Sequence, residues 1–267
     1  MLCFIMTFAV AFAGCSEEDD PTIDNPSGQG GGDGDGNGDG GEEEEVDPPT
    51  AFITFGVNGA TGIEFDVVGA PQVNGNRYMF NANDQDNGCG QPGGDYIELD
   101  TLEAVWQDGF SIAAWVEFKE ENRYFERIID FGNNWGEKNG MNITFSRLAR
   151  SSDLVLTSWI DSDSLTNREK GRVIARKAIV NNQSTFYAAT ISPTGEMKIF
   201  VNGVMVAEKS AGHPVANVRR TKNYIGHSNW CEEDYDLKGE VDGMYIYNKA
   251  ITPAEVKAVY KLKAGAN

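Results

Sequence analysis

Met197-Lys198-Ile199-Phe200-Val201-Asn202-Gly203-Val204-Met205-Val206 reads as two short β-strands joined by a two-residue turn. Asn-Gly supplies the positive φ angles of a type I′ turn, whose twist matches that of the flanking strands. Outward from this hairpin, the chain from Ala51 onward is built of short runs with period-two alternation, rich in β-branched and aromatic residues and bounded by Gly, Asn and Asp clusters. The runs span residues 52–57, 63–68, 77–80, 96–99, 110–118, 127–131, 141–145, 154–160, 185–191, 197–201, 204–207, 224–226 and 241–247. So many evenly spaced strands with turn signals between them predict an all-β sandwich or barrel. Thr252-Pro253-Ala254-Glu255 is a capping box with Pro at the first helical position, and Val256, Val259 and Tyr260 follow at helical spacing, so one C-terminal helix is expected.

The first fourteen residues, MLCFIMTFAVAFAG, are uncharged and almost wholly apolar. They fall short of the roughly 20 residues that span a bilayer, and read as a targeting segment. The junction Phe12-Ala13-Gly14-Cys15 resembles the lipobox of bacterial lipoproteins, where small residues admit the signal peptidase and the cysteine takes the lipid. Phe12 stands where leucine is usual, and the absence of a basic stretch before the apolar run suggests a translation start upstream of Met1. A buried apolar strand ending in an ordinary cysteine is the alternative, set against the wholly polar sequence that begins right after Cys15.

Residues 15–50 then form a lipidated cysteine and an acidic, Gly-rich linker, too poor in apolar side chains to offset chain entropy by burial. The whole chain carries a net charge of -19, yet residues 16–50 hold thirteen acids and no Lys or Arg, which leaves about -6 for the domain from Ala51 onward. Nothing basic remains to grip a nucleic-acid backbone, and nucleic acid is excluded as a partner. The run Ser16-Glu17-Glu18-Asp19-Asp20 resembles the export signal of Gram-negative lipoproteins displayed on the outer face of the outer membrane, with the periplasmic face as the alternative. Asp33, Asp35, Asn37, Gly38 and Glu44 match the spacing of an EF-hand loop, but with glycine at the alternate positions and no flanking helices they read as linker. Of four cysteines, Cys3 leaves with the leader and Cys15 is lipidated. Cys89 and Cys231 are expected to pair in an oxidising exterior, a bridge worth about 4 to 5 kcal/mol in the chain-entropy treatment; two unpaired loop thiols are the alternative.

Five segments then fall in a recognisable order: Tyr96-Ile97-Glu98-Leu99; Gly109-Phe110-Ser111-Ile112-Ala113-Ala114-Trp115-Val116; Gly195-Glu196-Met197-Lys198-Ile199-Phe200-Val201-Asn202-Gly203; Tyr224-Ile225-Gly226; and Gly239-Glu240-Val241-Asp242-Gly243-Met244-Tyr245-Ile246-Tyr247-Asn248-Lys249-Ala250-Ile251. Together they resemble the signature segments of laminin-G-like, concanavalin-A-like domains. The resemblance implies that residues 51–267 fold as a two-sheet antiparallel jelly-roll sandwich, with ligand sites on a concave face or on the loops of one rim. It also implies a glycan as ligand in many bacterial members and a calcium ion in some. Phe110, Ile112, Ala114 and Val116 alternate with Ala113 and Trp115, which suits a strand buried on both sides and makes Trp115 core rather than platform.

Candidate sites follow from side-chain chemistry. Glu98-Leu99-Asp100-Thr101-Leu102-Glu103 is the most tempting catalytic pattern, since retaining glycoside hydrolysis needs two carboxyls about 5 to 5.5 Å apart. Strand alternation places Glu98 with Asp100 but turns Glu103 to the opposite side, so surface acids are the expectation and no catalytic residue is assigned. Neither His213 nor His227 makes an evident nucleophile–base pair. Asn134 with Trp135, and Asn229 with Trp230 and Tyr235, set aromatic rings among amides and carboxylates, the mixture that stacks on a sugar face and bonds its hydroxyls. Each Trp could instead close the end of the sandwich as a lid. Trp106 and Trp159 read as packing. Asp84 and Asp86, flanked by Asn83 and Asn87, could join Asp242 in a calcium site, with solvated turn acids as the alternative. No cofactor is otherwise required. The expectation is a surface-anchored lipoprotein with a non-catalytic lectin-like domain that binds a glycan. An adhesion or assembly module binding a cell-surface protein is the second reading, and a glycoside hydrolase the residual one.

Overall fold

The structure, a computed structural model, describes residues 46–56, 61–82, 94–120, 123–133, 141–160, 169–230 and 234–264. These belong to one unit, Glu44–Asn267; the preceding unit, Met1–Glu43, with the leader, Cys15 and most of the acidic linker, lies outside the described residues. In chain order the strands are β1 (Ile53–Phe55), β2 (Phe65–Val68), β3 (Gln72–Asn74), β4 (Arg77–Phe80), β5 (Tyr96–Leu99), β6 (Phe110–Phe118), β7 (Arg127–Gly132) and β8 (Ile143–Arg147). They continue with β9 (Leu154–Ser158), β10 (Arg172–Ala175), β11 (Thr185–Ile191), β12 (Met197–Val201), β13 (Val204–Lys209), β14 (Lys222–Ile225) and β15 (Gly239–Tyr247), and a helix α1 (Pro253–Ala264) ends the fold.

The strands form two antiparallel sheets, as a jelly roll requires. One runs β13-β12-β11-β6-β15-β4-β3, with β1 also on β15; the other runs β10-β9-β8-β7-β14-β5-β2. Period-two alternation decides what each face carries. Phe110, Ile112, Ala114, Val116 and Met244 from the first sheet meet Ile97, Leu99, Ile129, Phe131, Ile143, Phe145, Leu154, Leu156 and Ile225 from the second in a single core. Fully burying each such large side chain is worth about 1.5 to 3 kcal/mol.

The opposite face of β6 packs a second, smaller core. Ala113 and Trp115 join Phe186, Ala188, Phe200, Tyr247 and Ile251 beneath Val256 and Val259 of α1. A doubly buried strand with Trp115 inside is therefore what the sequence produces. The helix starts where the capping box places it: Thr252 N donates to Glu255 Oε2 at 2.6 Å, and Glu255 N donates to Thr252 Oγ1 at 3.2 Å. The β12–β13 hairpin turns on Asn202 (φ 50°) and Gly203 (φ 79°), both left-handed as a type I′ turn demands.

Several boundaries differ from the sequence reading. β3 and β10 were not expected. β3 is three exposed residues with only Val73 apolar, and β10 directly follows the charged Arg168-Glu169-Lys170. β9 ends at Ser158 instead of running on to Ile160, so Trp159 leaves the sheet. That last difference matters for the site below.

Candidate functional site

The second sheet turns a polar face away from the core. Register places Asp66 opposite Glu98, Glu98 opposite Tyr224, Tyr224 opposite Asp130, Asp130 opposite Thr144, Thr144 opposite Thr157 and Thr157 opposite Arg172. One row of polar side chains thus crosses all seven strands of the sheet.

Asp130, fully buried, is the centre of that row. Its carboxylate accepts from Asn142 Nδ2 at 2.7 Å and from both the backbone N–H and the Nδ2 of Asn229 at 3.0 Å, and Arg127 Nε lies 3.3 Å from Oδ2. A buried carboxylate is tolerated when it is paired and fully hydrogen-bonded, and Asp130 meets both conditions. Asn142 can reach it because β7 offers glycine alongside: a Cβ on Gly132 would fall 2.5 Å from Asn142 Oδ1. Arg127 also donates to Ser146 Oγ at 3.1 Å and pairs with Asp234.

The network holds a loop in place. After β14 the chain folds back over the outer face, and Asn229 Nδ2 also bonds the carbonyls of Asp130 (3.1 Å) and Lys222 (2.9 Å). Trp230 follows at once, its N–H donating to Ser228 Oγ at 3.0 Å. Its ring meets that of Trp159 at 5.3 Å between centroids and 43° between planes. Trp159 is fixed from the other side by its N–H to Asn142 O, 2.9 Å. Both indoles are half-buried, and the Trp230 Nε1–H is buried with no acceptor. What Trp230 presents to solvent is therefore hydrocarbon ring. Beside the pair, Lys222 and Glu98 form an exposed ion pair, 3.1 Å.

Farther along the row Tyr96 stacks on His227 (4.2 Å, 15°), which packs edge-on to Tyr224 (4.8 Å). His227 Nδ1 lies 2.5 Å from Asp236 Oδ1. Burial, with Glu98, Tyr96 and Asp130 nearby, drives the Tyr224 hydroxyl well above its ordinary value, so it stays a neutral donor and acceptor.

A sequence profile of laminin G type, described as the concanavalin A-like lectin/glucanases superfamily, matches residues 91–257. The chain belongs to the concanavalin A-like lectin/glucanase superfamily. No curated protein matches it in sequence. Among solved structures, a fold similar to that of this chain occurs in the binding domain of botulinum neurotoxin serotype C1 (TM-score 0.55, 16% identity, 79% of this chain and 51% of that one). It occurs also in the botulinum neurotoxin DC binding domain in complex with rat synaptotagmin II (TM-score 0.52, 15% identity, 79% and 51%). A third is a structure of botulinum neurotoxin type C described as entering cells through two ganglioside molecules (TM-score 0.50, 16% identity, 76% and 48%). This chain spans about half the length of these solved chains. At such identities the likeness is one of fold.

Of the residues singled out in this concanavalin A-like chain, Asn229 and Trp230 fall on one site, but in different roles. Asn229 is a buried support whose amide is engaged by Asp130 and Lys222; Trp230 is surface. Tyr235 sits apart under the Arg123 guanidinium, 4.9 Å from its ring centre. Asn134 and Trp135 lie outside the described residues. Asp84, Asp86, Cys89 and Cys231 are likewise outside them. Asp242 is taken up by Arg77 (3.3 Å) and Lys263, and among the described residues no three metal-ligating side chains gather. Glu98 pairs with Lys222, Glu103 pairs with Arg219 at 3.2 Å, and Asp100 Oδ1 accepts the N–H of Thr101 at 2.6 Å. Sequence reasoning missed Trp159 and Asp130: Trp159 was assigned to packing, and Asp130 lies in an apolar run that shows nothing of its role.

Proposed function

We propose that this protein is a surface-anchored lipoprotein whose lectin-like domain binds carbohydrate without catalysis, at the Trp159–Trp230 pair. The observation that carries the reading is that pair: two half-exposed indoles, locked from beneath by Asp130, Asn142 and Asn229, beside an exposed Glu98–Lys222 ion pair. Rigid aromatic faces next to fixed polar groups suit a sugar, whose C–H face stacks while its hydroxyls bond. Membership of a superfamily of lectins and glucanases is consistent with a saccharide ligand, and the acids that could have served hydrolysis are held in ion pairs or a turn. The reading needs no cofactor.

Export and attachment rest on the sequence. Cys15 takes the lipid, the acidic segment to Thr50 is the tether, and the domain faces outward from the outer membrane. Cys89 and Cys231 pair there in an oxidising exterior. Labelling with a radioactive fatty acid should mark the wild type and not Cys15→Ser.

Glycan-array binding by the full chain, with Trp159→Ala and Trp230→Ala beside it, tests the site. Binding abolished in either variant is the expected result. No glycan signal from the parent, or a signal that both variants keep, would overturn it. One observation favours the second reading, a protein partner in adhesion or assembly: edge strand β13 exposes Val204, Met205 and Val206 in succession, an apolar edge to which another strand could add.

A further inference from the structure

The opposite end of the second sheet holds a cavity of about 520 Å³, within the range of small-ligand sites. It lies where β8 ends at Arg147 and β9 begins at Leu154, whereas Trp159 and Trp230 sit at the Ile143–Ser158 end of the same pair. The length of β8 separates the two, about 14 Å at 3.4 Å per residue.

The lining has a consistent chemistry. Arg147, Arg150, Ser152, Asn181, Asn182 and Val180 all border the cavity, and among the described residues no carboxylate does. Arg147 is buried and immobilised: Nε donates to Glu126 Oε2 (3.2 Å), Nη1 to Ser151 O (3.0 Å), and Nη2 to Glu120 O (2.9 Å) and Asn181 Oδ1 (3.0 Å). That last bond turns the oxygen of Asn181 toward Arg147 and leaves its two Nδ2–H donors for a ligand. Arg150 rests over the Tyr124 ring at 5.5 Å, and among the described residues no carboxylate pairs with it. The side chains of Ser152 and Asn182 make no hydrogen bond there either. In a chain of net charge -19, this is a pocket of unpaired donors around an uncompensated guanidinium.

The backbone is strained to build it. Ala149 (φ 47°) and Asn182 (φ 58°) are both left-handed without being glycine, and Phe125 (φ 44°) is tied to Ala149 O by its N–H, 3.1 Å. Such conformations persist where the surroundings impose them and cluster at ligand sites. Val180, 51% exposed, adds an apolar wall.

We infer that this cleft is a binding site for an acidic saccharide unit, its carboxylate on Arg150 and the N–H donors of Asn181 and Asn182, and its ring against Val180. The site is separate from the Trp159–Trp230 pair and does not depend on it.

Calorimetric titration of the full chain at low ionic strength, with a uronic-acid disaccharide and with its carboxyl-reduced counterpart, tests this. The acid should bind about tenfold or more tightly than the neutral sugar, as a charge-assisted bond implies. Arg150→Gln should abolish that preference. Asn182→Gly, which keeps the left-handed backbone and removes the amide, should weaken binding several-fold. The Arg150-dependent preference for the acid should survive in Trp230→Ala, so a failed glycan site at the indoles is read separately. Equal binding of acid and neutral sugar, a preference indifferent to Arg150→Gln, loss of the preference in Trp230→Ala alone, or full displacement by an equal concentration of acetate would each overturn the assignment.

Discussion

Asn229 sits over Asp130 so that its backbone N–H reaches Oδ2 and its side-chain Nδ2 reaches Oδ1, both at 3.0 Å. A loop residue thereby closes the carboxylate of a central strand from above, while Asn142 and Arg127 close it from the sides. Removing the carboxylate strands all three. Asp130→Ala is expected to cost about 3 to 5 kcal/mol, the range for breaking one half of a buried pair, and Asn229→Ala about 1 to 3 kcal/mol. Because they share partners, the double variant should fall short of the sum of the two single losses. Urea denaturation measures all three, and an Asp130→Ala loss below about 0.5 kcal/mol would show that the network contributes nothing to folding.

The contrast between Asp130 and Trp115 explains what sequence could convey. Trp115 occupies a strict alternation, and period two alone places it on the face of β6 opposite Phe110, where the structure has it. Asp130 also sits at an alternating position, but its partner Asn229 is 99 residues away, and no local pattern announces that pairing. The strands, hairpin and capped helix were therefore legible, being local; the site was legible only where one segment carried it, as at Trp230. Trp159 was missed because Leu154–Ile160 alternates to its end, while the chain in fact leaves the sheet after Ser158, held by the carbonyl of Asn142. Arg147 and Glu126 gave no sign in sequence of lining or buttressing a cleft, since their contacts come from four separate segments.

The hairpin that announces the fold is also pinned to the helix. A Cβ on Gly203 would come 3.1 Å from Tyr260 Cδ1, and its φ of +79° already disfavours any other residue. Gly203→Ala should therefore destabilise the protein by about 1 to 2 kcal/mol through strain and the displaced tyrosine. Thermal unfolding by circular dichroism would detect it, and an unchanged midpoint would mean that the turn relaxes without disturbing α1.

The capping box gives a second handle on the same helix. Thr252→Ala removes the acceptor for Glu255 N and should cost about 0.5 to 2 kcal/mol, whereas Thr252→Ser should recover most of it. Since α1 roofs Trp115, fraying of its first turn should also alter the tryptophan emission of the alanine variant at temperatures below global unfolding. A loss equal in the serine and alanine variants would trace the effect to the threonine methyl and not to the cap.

His213 sets a pH dependence whose sign can be worked out. The ring is buried, its Nδ1 has no partner, and it lies 2.8 Å from where a Cβ on Gly171 would stand. Burial, with the charges of Lys170 and Lys209 adding to it, depresses its folded-state pKa below the ordinary 6.5, against a raising contribution from a backbone bond to Ser158. The unfolded chain therefore takes up a proton at a pH where the folded chain does not. Stability tied to this group is fully present above pH 6.5 and is lost as pH falls from 6.5 toward the depressed folded value. Glu126 acts with the opposite sign: burial pushes its carboxyl up to about 7, so its contribution weakens as pH rises. Subtracting the stability of His213→Gln from that of the wild type at each pH cancels Glu126 and isolates the histidine. That difference should be flat above pH 7 and decline as pH falls below 6.5. A difference that stayed level across the range would mean that His213 accepts its proton as readily in the folded protein as in the unfolded chain.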